Sequence, residues 1–364
     1  MITSQIAEAG TSIWLDDLSR SKLTGMDPHS LPYRLAHDGV VGVTTNPSIF
    51  SAAISQGAEY GADISAMKGE SVDAVVRKLT TDDVRTACDL FTPIYAASSG
   101  LDGRVSIEVD PRSARDTAAT ILEAKELWRI VDRPNALIKV PATLEGLPAI
   151  TELISLGISV NVTLIFSVDR YAQVMDAFMS GLEQRLAAGG EISTVTSVAS
   201  FFVSRIDSAV DLLLKANNSP LARTLLGKAA IANARLAYQA FQLQVLTPRW
   251  KNLENHGGRM QRPLWASTGV KDPTYKDTRY VLELVAPHTV NTMPQATLDA
   301  VIDHGQFQKS DITSTYGESH SIFTSLSSLG IDIATVTAEL EIDGVSKFAD
   351  AWNELLNNVG KVRN

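Results

Sequence analysis

Cysteine is almost missing from this chain of 364 residues: Cys88 is the only one, so no intrachain disulfide can form and a reducing compartment suits the sequence. A lone cysteine of this kind is read as a small buried hydrophobe. Basic charge is also in deficit, with 32 Lys and Arg against 41 Asp and Glu and a net charge of -9. That balance argues against a broad nucleic-acid footprint, and it means that any anionic ligand must be met by a few locally placed cations. No apolar run approaches the length of a membrane span, and Met1-Ile2-Thr3-Ser4 opens no basic-then-apolar leader. The expectation is a cytoplasmic protein without membrane contact. The six histidines are scattered without the spacing of metal ligands, so no metal is expected. There is no internal repeat and no low-complexity segment.

What is present is a recurring alternation. Eight short apolar or alternating runs, with helical segments between them, mark repeated βα units and a parallel sheet. They are Ser12 to Asp16, Val40 to Asn46, Arg104 to Asp110, Ala136 to Pro141, Ile158 to Phe166, Ser197 to Phe202, Pro263 to Thr268 and His288 to Pro294. A doubly wound sheet usually carries a Gly-rich phosphate loop after its first strand, and none occurs here. Eight such units most simply close into a (β/α)8 TIM barrel with additional helices, an α/β fold occupying residues 1–364 as a single domain. Between the runs, Ser167 precedes a helical stripe through Val168, Tyr171, Met175, Phe178, Leu182 and Leu186 that stops at Gly189-Gly190. Ser113 and Asp116 have the spacing of a capping box before Ile121, Leu122, Leu127 and Trp128. Ser219-Pro220 predicts the start of one long helix to about Val245, and the polar segment from Thr247 to Arg262 predicts a surface loop. Phe348, Trp352, Leu355, Leu356 and Val359 form a last amphipathic helix that packs on the barrel or covers its mouth.

Lys139 stands alone in the run Ala136-Leu137-Ile138-Lys139-Val140-Pro141. Burial disfavours an ammonium and favours the free amine, the form that attacks a carbonyl to give an imine. The competing reading is a lysine that snorkels from a strand end. Parity bears on the choice, because alternate strand residues face the lumen and the helix layer. In Arg104 to Asp110 the odd positions are apolar, which turns Ser106, Glu108 and Asp110 inward. The same argument aims Asn161 and Thr163 inward on the fifth strand, Asp16 on the first, and Thr44 and Asn46 on the second. A structural barrel fills its lumen with branched apolar side chains. Here five strands direct Asp, Asn, Glu, Lys and Thr toward one another, which describes either an active site or a hydrogen-bonded plug.

At this point the sequence resembles the transaldolase family, in its longer bacterial branch. The likeness lies in Trp14-Leu15-Asp16, Gly42 to Ile49, Val105 to Asp110, Ile138 to Thr143 and Asn161 to Ser167, and it continues through Ser200 to Arg205, Leu264 to Thr268 and Val290 to Pro294. The resemblance implies a barrel needing neither metal nor organic cofactor. Such enzymes move a dihydroxyacetone unit from a ketose phosphate, such as fructose 6-phosphate or sedoheptulose 7-phosphate, to an aldose phosphate. It further implies that Lys139 forms the Schiff base, that Asp16 is the acid/base at the C4 hydroxyl, and that Glu108 and Thr163 handle a catalytic water. Asn46, Asn161 and Ser200 would bind the dihydroxyacetone hydroxyls, and Arg205 the phosphate. One departure stands out: where the family has an Arg soon after Ala-Ser, this chain has Ala266-Ser267-Thr268-Gly269-Val270-Lys271, so Lys271 is the substitute candidate. The alternatives are a Schiff-base fructose 6-phosphate aldolase and a catalytically silent sugar-phosphate-binding barrel. Phe202 separates the first, since related aldolases carry a Tyr there that orients water. The expected partners are sugar phosphates, with no nucleic acid, in a monomer or a homodimer.

Overall fold

The computed structural model describes residues 1–56, 58–217, 219–309 and 311–363. All eight runs are strands: β1 Thr11–Asp16, β2 Val40–Thr44, β3 Arg104–Glu108, β4 Ala136–Pro141, β5 Val160–Ile165, β6 Ser197–Phe202, β7 Arg262–Ala266 and β8 Thr289–Met293. They pair in parallel in chain order, and β8 returns to β1, closing the barrel. Closure buries both faces of each strand, which is why the runs are short and rich in Val, Ile and Leu. The lower lumen is packed rather than open. Trp14 fills it, and a Cβ on Gly42 would stand 2.5 Å from the Trp14 ring, so only glycine fits across from it. Beneath, Arg262 Nη2 donates to Asp102 Oδ1 at 2.9 Å and Arg104 Nη2 to Thr196 Oγ1 at 2.7 Å, a hydrogen-bonded floor.

Several local expectations are corrected. The strand expected to reach Asp110 ends at Glu108, and Asp110 turns away from the lumen to cap the turn Pro111–Ser113 and pair with Arg112. Asp116, rather than Ser113, caps Thr117–Val131, accepting from Ala119 N at 2.9 Å, because Ser113 is consumed by that turn. Likewise β2 ends at Thr44, and Asn46 begins the helix Pro47–Gln56 by accepting from Ile49 N at 3.0 Å. The helix opened by Ser219-Pro220 stops at Leu225, and a second runs Ala229–Gln244. Gly227 makes the break at φ 68, with buried Asp211 and Asp207 accepting from Gly227 N and Ala230 N at 2.9 and 2.7 Å. The segment read as a loop after Thr247 contains the helix Pro248–Asn255, which buries Trp250 and Leu253. Thr247-Pro248 is the same cap-then-proline signal as Ser219-Pro220.

The C-terminal helix Ile333–Arg363 is longer than its apolar stripe suggested. It crosses the end of the barrel where the strands terminate, with Glu341 paired to Arg170 at 3.3 Å and Asn358 donating to Ser51 Oγ at 3.0 Å. No single helix among the described residues is long and apolar enough to cross a membrane.

Candidate active site

Lys139 lies in the middle of β4, opposite Glu108 of β3 and Asn161 of β5 in the strand register. Parallel register thus sets three lumen-facing polar side chains at one height. The Lys139 amine donates to the Thr45 carbonyl at 2.6 Å and to Glu108 Oε2 at 3.4 Å. Thr45 lies just past the end of β2, so the early stop of that strand frees its carbonyl for the amine. Both Lys139 and Glu108 are 6% exposed. Burial pushes the Glu108 carboxyl up to about 7, with the Lys139 charge opposing the rise. A carboxyl so poised carries its proton part of the time at neutral pH and can give or take one.

Asp16, the last residue of β1, is partly accessible from the mouth. Burial raises its carboxyl above the usual range, while Lys139 and a 2.7 Å hydrogen bond from Thr44 Oγ1 hold it down. Thr44 also meets Thr292 of β8, hydroxyl to hydroxyl, at 2.6 Å. The Asn161 amide is fixed from two sides: it donates to Ser106 Oγ at 3.1 Å and accepts from Ser200 Oγ at 2.7 Å. Thr163 Oγ1 is buried without a protein partner. A buried hydroxyl costs free energy unless something pairs with it, so its position suits a water or a substrate oxygen.

The cavity above Lys139 has a volume of about 150 Å³. Of the ten residues singled out in the sequence, Asp16, Asn46, Lys139, Thr163, Ser200, Phe202, Arg205 and Lys271 line it. Glu108 and Asn161 sit directly behind, bonded to Lys139 and Ser200. Larger clefts lie elsewhere on the molecule: one adjoins the mouth and shares Asp16 and Asn46 with this cavity, but none of them is lined by Lys139 or Glu108. Arg205, in the first turn of Ser204–Asn217, stands with its guanidinium carbon 5.6 Å from the Phe202 ring centre. Its Nη1 is buried and unpartnered, and burial lowers its pKa with only Asp343 opposing. An incompletely neutralised cation beside a cavity is a place for an anion. Lys271 is exposed but reaches the lining, while the neighbouring Asp272 is paired with Lys215 at 3.2 Å.

Parity missed several lining groups. Thr292 shares the lumen face with Trp14, its partner in β1, and the same reading carried onto β8 would have found it. Ser267, at φ 54 after β7, and the Thr45 carbonyl depend on backbone turns that have no periodic signal. Phe348, from the C-terminal helix, also lines the cavity. Among the described residues, no group of three or more His, Cys, Asp or Glu could hold a metal ion.

A buried amine among carboxylates at the C-terminal end of a (β/α)8 barrel defines an enzyme of the lysine–carboxylate barrel class. Comparison with known proteins narrows the class. The profile of the Transaldolase/Fructose-6-phosphate aldolase family matches residues 13–359. A transaldolase of Mycolicibacterium smegmatis is 56% identical over 355 residues, 97% of this chain and 95% of that protein. A transaldolase of Mycobacterium tuberculosis is 54% identical over 355 residues, 96% and 94% of the two chains. Transaldolase 1 of Streptomyces avermitilis is 54% identical over 357 residues, 98% and 94%. The chain belongs to the transaldolase/fructose-6-phosphate aldolase family, and its activity is that of a transaldolase.

Proposed function

We propose that Lys139 carries a dihydroxyacetone unit from a ketose phosphate, fructose 6-phosphate or sedoheptulose 7-phosphate, to an aldose phosphate, erythrose 4-phosphate or glyceraldehyde 3-phosphate. The observation that carries this reading is the Lys139 amine, buried between the Thr45 carbonyl and Glu108 in a cavity that also holds Asp16. The amine attacks C2 of the ketose. Glu108, poised near neutrality, exchanges protons with the carbinolamine through a water held by Thr163, whose hydroxyl has no other partner. Asp16 takes the C4 hydroxyl proton as the C3–C4 bond breaks, and the electrons of that bond pass into the enamine. Asn161 and Ser200, fixed to each other, hold the hydroxyls of the retained three carbons together with Asn46. Arg205 and Lys271 bind the phosphate, the lysine standing in as a point charge for a bidentate arginine.

Phe202 favours transfer over hydrolysis. Its ring centre lies 5.2 Å from that of Phe166 and 6.3 Å from that of Phe348, and it offers no hydroxyl to orient a water. The reading takes the whole chain as one barrel domain in the cytoplasm, a setting that fits a single buried cysteine. Incubation with fructose 6-phosphate and borohydride, followed by peptide mass analysis, should place a reduced three-carbon unit on Lys139. Lys139→Met should lose both adduct and turnover. An adduct on another lysine, or an active variant, would overturn the assignment.

A further inference from the structure

The C-terminal helix does more than pack on the barrel. Between its anchors at Glu341 and Asn358, Gly344 and Phe348 stand one turn apart on the same face, the face turned to the mouth. A Cβ on Gly344 would lie 3.0 Å from Leu164 Cδ2 and 3.6 Å from Arg205 Nη1, so the helix backbone rests on the strand ends. Leu164 reaches it from an irregularity in β5, where the backbone takes φ 58. Held at that depth, the helix delivers the Phe348 ring to 5.9 Å from Lys139 Nζ and into the cavity lining.

We infer that Phe348 is a water-excluding positioning residue: it closes the solvent side of the Lys139 adduct and so keeps the enamine for the acceptor aldose. The inference rests on the Lys139 imine reading. The leak that it blocks consumes one water. The enamine takes a proton at C3, water adds to C2 of the resulting iminium, the C2–N bond breaks, and Lys139 returns as the amine. Dihydroxyacetone leaves with the water's oxygen in its carbonyl. Cutting Phe348 back to alanine opens room for about two or three waters at ~30 Å³ each beside the adduct.

The test is the ratio of free dihydroxyacetone released from fructose 6-phosphate alone to transfer onto erythrose 4-phosphate, measured in the full chain with Lys139 trapping in parallel. In Phe348→Ala the adduct should still form while the ratio rises about tenfold, and Phe348→Leu, which refills most of the space, should return it toward the parent value. Partial unfolding scales both rates alike and leaves the ratio in place. Should the alanine variant not fold, Gly344→Ala, which lifts the helix off Leu164, must raise the same ratio. An unchanged ratio in variants that trap the adduct overturns the role of Phe348 alone. Absence of an adduct in the parent enzyme overturns the imine reading and this inference with it.

Discussion

Glu108 should make the fold less stable as pH rises, and the size of the effect follows from its burial. Its carboxyl stands at about 7 in the folded chain against an ordinary 4.5, chiefly because burial penalises the anion. Between those values the folded state binds more protons than the unfolded state, so the free energy of unfolding falls with increasing pH. The penalty is absent below pH 4.5 and fully present above pH 7. At ~1.36 kcal/mol per pH unit it amounts to about 3 kcal/mol. With an unfolding entropy of ~2.1 cal/mol/K per residue, a chain of this length should lose about 4 °C in Tm from this group. Glu108→Gln removes the titration while keeping the shape. Thermal unfolding of both proteins from pH 5 to 8.5 should therefore give a difference in Tm that moves in the variant's favour by about that amount as pH rises. Titrating groups remote from Glu108 act on both proteins and cancel in the difference, whereas Asp16 and Lys139 feel its charge and are followed through the variant itself. Two parallel curves would refute the burial argument, and a difference moving the opposite way would mean that Lys139 holds Glu108 ionised.

Removing Asp16 separates the two acids: Asp16→Ala should still trap an imine on Lys139 but lose C3–C4 cleavage by two to four orders of magnitude, about the worth of a general acid or base. Single-turnover trapping beside steady-state transfer checks it, and an Asp16→Ala enzyme unable to form the imine would reverse the roles of Asp16 and Glu108. Phe202→Tyr should raise free dihydroxyacetone from fructose 6-phosphate, as read by a coupled reductase assay; no rise would remove the ring from the argument for transfer. Arg205→Ala and Lys271→Ala should each raise KM for fructose 6-phosphate by about one to two orders of magnitude, the worth of one charge-assisted hydrogen bond, and leave KM for fructose, the control without phosphate, almost unchanged. An unchanged KM in the lysine variant would leave Arg205 as the phosphate ligand.

The inward groups on β1 to β5 were legible because strand parity is a local property with a period of two. Asp16, Thr44, Glu108, Lys139, Asn161 and Thr163 all follow from it. Parity fails where the strand stops. Asp110 continues the alternation in sequence, yet Pro111 opens a turn and its carboxylate goes to Arg112. Helix starts are legible in cap-then-proline pairs such as Ser219-Pro220, and Thr247-Pro248 carries the same signal inside a segment whose polarity alone reads as a loop. The break at Gly227 depends on Asp207 and Asp211, which a local pattern does not bring into view. Phe348 is the extreme case. In sequence it is one apolar position on an amphipathic stripe like any other, and only the path of the helix across the barrel end brings it near Lys139.

The closure of the barrel also sets a schedule for biosynthesis. Thr11 and Thr289 share a hydrogen bond across 278 residues of chain, so β1 emerges from the ribosome long before the strand that completes the sheet. At ~5–20 residues per second that interval is about 15 to 60 s. Throughout it β1 has an unpaired edge, the condition under which strands of neighbouring nascent chains pair with one another. The roofing helix is later still. Until β8 is made the lumen stays unsealed, and until Ile333–Arg363 follows it Lys139 stays uncovered, so closing the sheet and covering the amine are two separate and late events.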